Sequence, residues 1–223
     1  MSIAVTTFDS KTALLAALDV SLREALTTSH ADRFAAIISG GSTPLPVYNA
    51  IAENPPAIAP GAGLAFADDR HVPMDSPESN YGNARPMIEA LRIPEDRLLR
   101  IHPELSLEAA ADRYNDDWAA FFAAGGVIPV AYLGLGADGH TCSLFNDADL
   151  ARCEGRFAAP VYKDSPPHRV TIGPDVLARV DEVVFVVAGN DKIEMIETLL
   201  NNPGAIPAGK ATAGCRSVAL WRA

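Results

Sequence analysis

The chain is poor in cysteine and poorer still in ligand-spaced histidine. Its 223 residues hold three cysteines, Cys142, Cys153 and Cys215. An odd number without CxxC spacing argues against a disulfide framework and against a structural zinc site, so reduced thiols are expected. The five histidines, His30, His71, His102, His140 and His168, show no HExxH or comparable pattern, and no metal is expected. No apolar run is long enough to span a bilayer. The N-terminal MSIAVTTFDSK lacks a basic region followed by an apolar one, so no secretory signal is read and cytoplasmic residence is the default expectation. Basic charge is scarce as well. With 28 acidic and 18 basic residues the net charge is −10, which opposes nonspecific binding to nucleic acid or to an anionic membrane. Only four lysines exist, Lys11, Lys163, Lys192 and Lys210. A small anionic ligand would therefore need locally gathered cations, and the placement of the few available becomes informative.

What is present is the composition of a globular chain, 48% hydrophobic and 21% charged, long enough for one large α/β domain over residues 1–223. Apolar runs without polar alternation fall at Phe34–Ile38, Leu64–Ala67, Val130–Leu135, Val183–Val187 and Val218–Trp221, the pattern of strands buried on both faces. Helical spacing separates them. Leu14, Leu15, Leu18, Leu22 and Leu26 follow a cap at Ser10, and Leu107, Ala110, Ala111, Tyr114, Trp118, Phe121 and Phe122 follow Ser106. Ile193, Ile196, Leu199 and Leu200 precede Asn202-Pro203. Strands alternating with helices predict parallel βαβ units in a single-domain, doubly wound, mostly parallel sheet flanked by helices. Pro/Gly-rich loops at Asn54–Gly63 and Asn202–Gly209 are too short to divide it.

The densest signal is LGLGADGHTCSLF, Leu133 to Phe145, where an apolar run ends in a glycine-rich turn carrying Asp138 and His140. Such a turn sets polar groups at the mouth of a sheet, where ligands of open α/β folds bind. A histidine there beside a carboxylate suits proton abstraction from water, although Asp in a glycine turn is also ordinary turn chemistry. Gly134, Gly136 and Gly139 match the dinucleotide pattern G-x-G-x-x-G, but past mid-chain and with Asp138 set to repel a pyrophosphate, so no nicotinamide or flavin is expected. Cys142 is too near His140 in sequence to pair with it readily and is read as structural.

Further polar groups follow other strands. Ser39-Gly40-Gly41-Ser42-Thr43-Pro44 joins two glycines and hydroxyls to a predicted N-cap at Thr43 with Pro44 opening the helix, and exposed N–H groups there would suit a phosphate. Asp68-Asp69-Arg70-His71-Val72-Pro73, followed by Ser79-Asn80-Tyr81-Gly82, is expected to face the ligand crevice. Arg169 lies in PPHRVT. Lys192 falls in the first turn of a predicted helix, where the macrodipole disfavours a cation, and a bound anion would explain it.

Together, SGGSTP, DDR-x-VP with SNYG, GLGADGHTCSLF, PPHRVT and the terminal PA…W pattern resemble the 6-phosphogluconolactonase family, from about Ser39 to Trp221. SGGSTP is shared with sugar-phosphate isomerases, whereas Asp-Gly-His-x-x-Ser-Leu-Phe is the specific part. The resemblance implies a cytoplasmic enzyme of the oxidative pentose phosphate pathway that hydrolyses 6-phospho-D-glucono-1,5-lactone to 6-phosphogluconate without cofactor. It implies catalytic roles for His140 as general base, Asp138 as the partner orienting it, and Asp68 at the site. It assigns the phosphate to Arg70, Arg169, Lys192 and the loop Gly40, Gly41, Ser42 and Thr43. The chain departs from the family at Asn146, where Pro is common, at Asp69, where Glu is frequent, at Ile193, and at Lys210, which matches no assigned position. The alternatives are a glucosamine-6-phosphate deaminase, disfavoured because Thr-Cys-Ser-Leu-Phe replaces its Ile-Ala-Phe-Asn-Glu-Pro, and a non-catalytic sugar-phosphate-binding module, disfavoured by the retained Asp138 and His140. The partner expected is a phosphorylated sugar lactone, and the assembly a monomer or small homo-oligomer.

Overall fold

A computed structural model describes residues 3–223. In chain order the elements are β1 (Ile3–Thr7), α1 (Lys11–Thr27), β2 (Phe34–Ile38), α2 (Leu45–Glu53), β3 (Ala62–Phe66), β4 (Asp68–Arg70), α3 (Asn80–Leu91), β5 (Leu98–Leu99), α4 (Leu107–Ala123) and β6 (Ile128–Leu133). There follow α5 (Asp147–Arg152), β7 (Ala158–Val161), β8 (Arg169–Ile172), α6 (Pro174–Leu177), β9 (Val180–Val187), α7 (Ile193–Asn201), α8 (Pro207–Ala211) and β10 (Val218–Arg222).

The long apolar runs build the predicted sheet. Seven strands pair in the order β1-β10-β9-β6-β2-β3-β5, all in parallel. Every residue of β2 and β3 is buried, as expected of strands covered on both faces. Chain order reverses between β2 and β6: from β2 the sheet grows through β3, and from β6 through β9 and β10. Ligands of doubly wound sheets bind at the carboxyl ends beside such a reversal, and here those ends are the loop after Ile38 and the turn after Leu133.

Helices form where apolar spacing and caps coincide. Ser10 accepts from the Ala13 N–H at 3.1 Å, and Leu14, Leu18, Leu22 and Leu26, four residues apart, are buried on one face of α1. In α4, Ser106 accepts from Ala109 N–H at 3.3 Å, and Tyr114, Trp118 and Phe121 are buried with a row of T-shaped ring contacts. The buried apolar side chains form one cluster from Leu14 to Leu220. Among the described residues no helix is long and apolar enough to cross a membrane.

Several features depart from the sequence reading. A second, three-stranded antiparallel sheet, β4-β8-β7, was not expected, because its strands are short and β4 reads Asp-Asp-Arg. Thr43 is not a cap: α2 begins at Leu45 with Pro44 in the capping position, and no side chain bonds the helix end. Ile193 faces solvent at 48% exposure, leaving Ile196 and Leu199 as the buried stripe of α7. Lys192 closes a 3-10 turn, Asn190–Lys192, and stands at the capping position of α7, one residue before the predicted first turn.

Candidate active site

The turn after β6 is closed by its own backbone. Gly136 N–H donates to the His140 carbonyl at 2.8 Å, Gly139 N–H to the Gly136 carbonyl at 3.0 Å, and the Thr141 hydroxyl to the Gly134 carbonyl at 2.9 Å. Gly139 has φ +80, a region few side chains tolerate. Gly136 serves space instead, since a Cβ there would overlap the His140 ring. The result is a tight presentation of His140, whose Nδ1 is hydrogen-bonded to Asp138 Oδ1. Burial raises the Asp138 carboxyl, but the hydrogen bonds from the His140 side chain and N–H outweigh it and hold the group below the usual carboxylate range. With the Nδ1–H donated to Asp138, the lone pair lies on Nε2, the state a general base requires.

The loop after β2 is built the opposite way. Ser39 anchors it, donating its hydroxyl to the Tyr132 carbonyl at 2.8 Å and accepting at its own carbonyl from Tyr48 at 2.6 Å. Burial pushes the Tyr48 phenol up, so it remains a donor. Beyond that anchor, the N–H groups of Gly40, Gly41, Ser42 and Thr43 make no hydrogen bond within the described residues. Gly41 adopts φ +99, which turns the backbone there. Consecutive unpaired N–H groups before a helix form an anion-binding concavity.

The third wall comes from the small sheet. Register places Arg70 of β4 opposite Arg169 of β8. Arg70 donates to the Glu78 carbonyl at 2.7 Å and Arg169 to the Pro167 carbonyl at 2.5 Å, so each guanidinium is held from behind. Desolvation, and then the Arg70 charge, lower Arg169 below its ordinary value, and the opposing pull of Asp68, Glu78 and Asp69 does not make this up. An anion placed there offsets the repulsion between the two guanidinium groups.

One cavity of about 390 Å³ joins these walls. It is lined by Gly40, Gly41, Ser42, Thr43, Asp68, Arg70, His140, Arg169 and Lys192. Asp138 stands behind His140, off the lining. Lys192 Nζ donates to the Leu135 carbonyl at 2.7 Å, which ties α7 to the turn that carries His140. That bond compensates the ammonium for its unfavourable place at a helix start.

Sequence reasoning gave no individual role to several lining residues. Ser143 donates to Asp68 Oδ2 at 2.6 Å and so fixes the one cavity carboxylate. Asn80, 3% exposed, donates to the Asp68 carbonyl at 2.9 Å, and its carboxamide fills the place a Cβ on Gly40 would need. Asp69 turns away, accepting from the N–H groups of Arg70, Asn80 and Tyr81 at 2.7, 2.6 and 2.9 Å. Burial, outweighing those bonds, raises its carboxyl to about 6. The motif SNYG signalled Asn80, and Ser143 lies inside the turn motif, but neither partner could be named without the fold. Phe145, 4.5 Å from His140 between ring centroids, also lines the cavity. Cys142 sits there with φ +52, its thiol pushed well above the usual range by burial, and so fits the structural reading. Asn146 caps α5, accepting from Asp149 N–H at 3.0 Å, which explains the absence of the common Pro. Lys210 pairs with Asp147 at 2.5 Å, away from the cavity.

A family model described as "Glucosamine-6-phosphate isomerases/6-phosphogluconolactonase" matches residues 9–221. A human protein named 6-phosphogluconolactonase is 39% identical over 184 residues, covering 76% of this chain and 69% of its own. Among solved structures, a 6-phosphogluconolactonase from Trypanosoma cruzi superposes with TM-score 0.84 at 24% identity, covering 100% of this chain and 95% of its own. A monomeric glucosamine-6-phosphate deaminase superposes with TM-score 0.75 at 14% identity, covering 99% and 97%. At those identities the superpositions speak to fold alone.

Proposed function

The chain belongs to the glucosamine-6-phosphate isomerase/6-phosphogluconolactonase family, and from that premise we propose that it is a carboxylic ester hydrolase opening 6-phospho-D-glucono-1,5-lactone to 6-phosphogluconate, as one domain and in the cytoplasmic oxidative pentose phosphate pathway. The observation that carries the reading is the cavity itself: a base oriented by a carboxylate on one wall faces unpaired N–H groups and two arginines on the others. A phosphorylated lactone needs both ends of that arrangement and no further chemistry.

In the proposed reaction the phosphate is held by the Gly40–Thr43 loop with Arg70 and Arg169. Binding energy from this remote group fixes the ring against the base. His140 Nε2 takes a proton from water as the water oxygen attacks the lactone carbonyl carbon, and Asp138 stabilises the imidazolium that forms. When the tetrahedral intermediate collapses, the bond from the carbonyl carbon to the ring oxygen breaks and the imidazolium returns its proton to that oxygen. The product acid then ionises. Asp68, locked by Ser143, would accept from a sugar hydroxyl, and Lys192 would both brace the turn and add positive charge near the phosphate.

The test is a paired assay. Proton release from the phosphorylated lactone, above spontaneous hydrolysis, is expected, with no ammonia released from glucosamine 6-phosphate. Ammonia release without lactone hydrolysis would replace this reading with the deaminase one.

A further inference from the structure

Two of the four lysines have carbonyl or carboxylate partners: Lys192 holds the Leu135 carbonyl, and Lys210 holds Asp147. Lys163 does not. It stands in the connection between β7 and β8, half-buried, and among the described residues no carboxylate lies within ion-pair distance of it. Its ammonium instead sits over the Phe145 ring, 3.5 Å from the centroid. The backbone of this connection is itself fixed, since Lys163 N–H donates to His168 Nδ1 at 3.1 Å. Phe145 in turn lies against His140, with ring planes 40° apart. A cation, an aromatic ring and the imidazole therefore follow one another from the small sheet to the cavity.

Asp138 holds one nitrogen of His140 and leaves the imidazole free to pivot about that hydrogen bond. A ring packed on the imidazole face removes the pivot, provided the ring itself cannot swing away. An ammonium over an aromatic face supplies that restraint, because the negative face of the ring attracts it and the half-buried setting weakens competition from water. We propose that Lys163 is a positioning residue for the reaction: it pins Phe145, and Phe145 fixes the plane of His140 so that Nε2 stays aimed at the attacking water. The inference rests on the reading of His140 as general base.

Steady-state kinetics with the phosphorylated lactone on Lys163→Met, Lys163→Arg, Phe145→Leu and the Lys163→Met/Phe145→Leu pair test it. Met keeps the stem and removes the charge, so kcat is expected to fall about tenfold with KM unchanged, a loss of aim and not of affinity. Arg also binds an aromatic face and should restore kcat to within about twofold. Phe145→Leu should lower kcat similarly, and Lys163→Met should add nothing in that background, since both remove one restraint. A wild-type kcat in Lys163→Met, a raised KM with kcat intact, or an equal further loss in the Phe145→Leu background would overturn the proposal. The general-base reading fails separately: it falls if His140→Ala retains activity, whatever the Lys163 variants do.

Discussion

The turn after β6 and the loop after β2 lie at adjacent strand ends and solve opposite problems. In the turn the groups that shape it find partners within the protein: the Gly136 and Gly139 N–H groups, the Thr141 hydroxyl and the Leu135 carbonyl are engaged, and Ala208 N–H closes on the Gly139 carbonyl at 2.9 Å. In the loop the N–H groups from Gly40 to Thr43 are left without acceptors among the described residues. A base must be aimed before substrate arrives, which requires satisfied bonds around it. An anion site must keep donors in reserve, because a donor already paired has little left for a phosphate. Damage to the turn should therefore appear in kcat, and damage to the loop in KM.

The largest effect expected is that of His140→Ala, which removes the proposed base and leaves the turn's backbone bonds in place. General-base loss costs about a hundredfold to ten-thousandfold in rate. Proton-release kinetics, with spontaneous hydrolysis subtracted, measure it, and a kcat within about threefold of wild type would remove His140 from the chemistry. Gly136→Ala should come next. Its Cβ would meet the His140 ring, with no positive φ to relieve. Displacing a reacting group by about 1 Å costs on the order of a hundredfold, so kcat should drop while KM and the melting midpoint change little. A raised KM instead would show that the turn also holds the phosphate, and the division between the two regions would fail.

On the other side of the division, Arg169→Met keeps the stem's packing and removes the charge. It should raise KM for the phosphorylated lactone by roughly tenfold or more, on the scale of a charge-assisted bond, with kcat nearly kept. The same variant should not affect dephosphorylated gluconolactone, itself expected to be a much poorer substrate. Equal efficiency on both lactones in the wild type would reduce the loop and the arginines to structural roles. Lys192→Gln sharpens the comparison because Lys192 bonds the turn and lines the cavity that turn and loop share. Losing the Leu135 bond should lower the free protein's melting midpoint slightly, and losing the charge should shrink the ligand-induced rise several-fold in terms of Kd, both read from melts with and without 6-phosphogluconate. An unchanged ligand shift would confine Lys192 to bracing the turn.

What the sequence made legible follows from the same contrast. The main sheet was readable because strands buried on both faces carry unbroken apolar runs, as in Phe34–Ile38. The two turns of the candidate site were readable because glycines, hydroxyls and the Asp138–His140 pair must be contiguous in sequence to make such turns. The small sheet was not, since β4 is charged and β7 and β8 are four residues each, so their pairing is settled by tertiary contact and not by local pattern. The Arg70–Arg169 pairing and the Ser143–Asp68 bond depend on that sheet and were hidden with it. Thr43 misled because a hydroxyl before Pro resembles a cap, whereas the helix starts after the proline. Asp69 shows another limit: its neighbour Asp68 faces the cavity while alternation along β4 turns Asp69 inward, a distinction that two adjacent carboxylates cannot announce.

Asp69 gives the smallest prediction and separates structural pairing from ligand binding. Burial raises its folded-state carboxyl to about 6, above the ordinary value of 3.8. The folded protein then binds the proton more tightly than the unfolded chain, so this group's stabilising contribution is fully present below about pH 4 and is lost as pH rises through about 6. Between pH 5 and 7.5 wild type should lose stability, on the order of 1 kcal/mol, through this carboxyl alone. Asp69→Asn cannot titrate and should lack that component, although it will be less stable at every pH because an amide N–H₂ must face a backbone N–H that Asp69 now accepts. The measurement is the wild-type minus Asp69→Asn difference in denaturant stability across that range, which cancels the histidines common to both. A difference that stays flat would mean Asp69 is ionised throughout, its three backbone N–H bonds outweighing its burial. In that case the start of α3 would hold its anion as the phosphate loop is expected to hold the substrate's, and the contrast between satisfied and waiting donors would rest on occupancy alone.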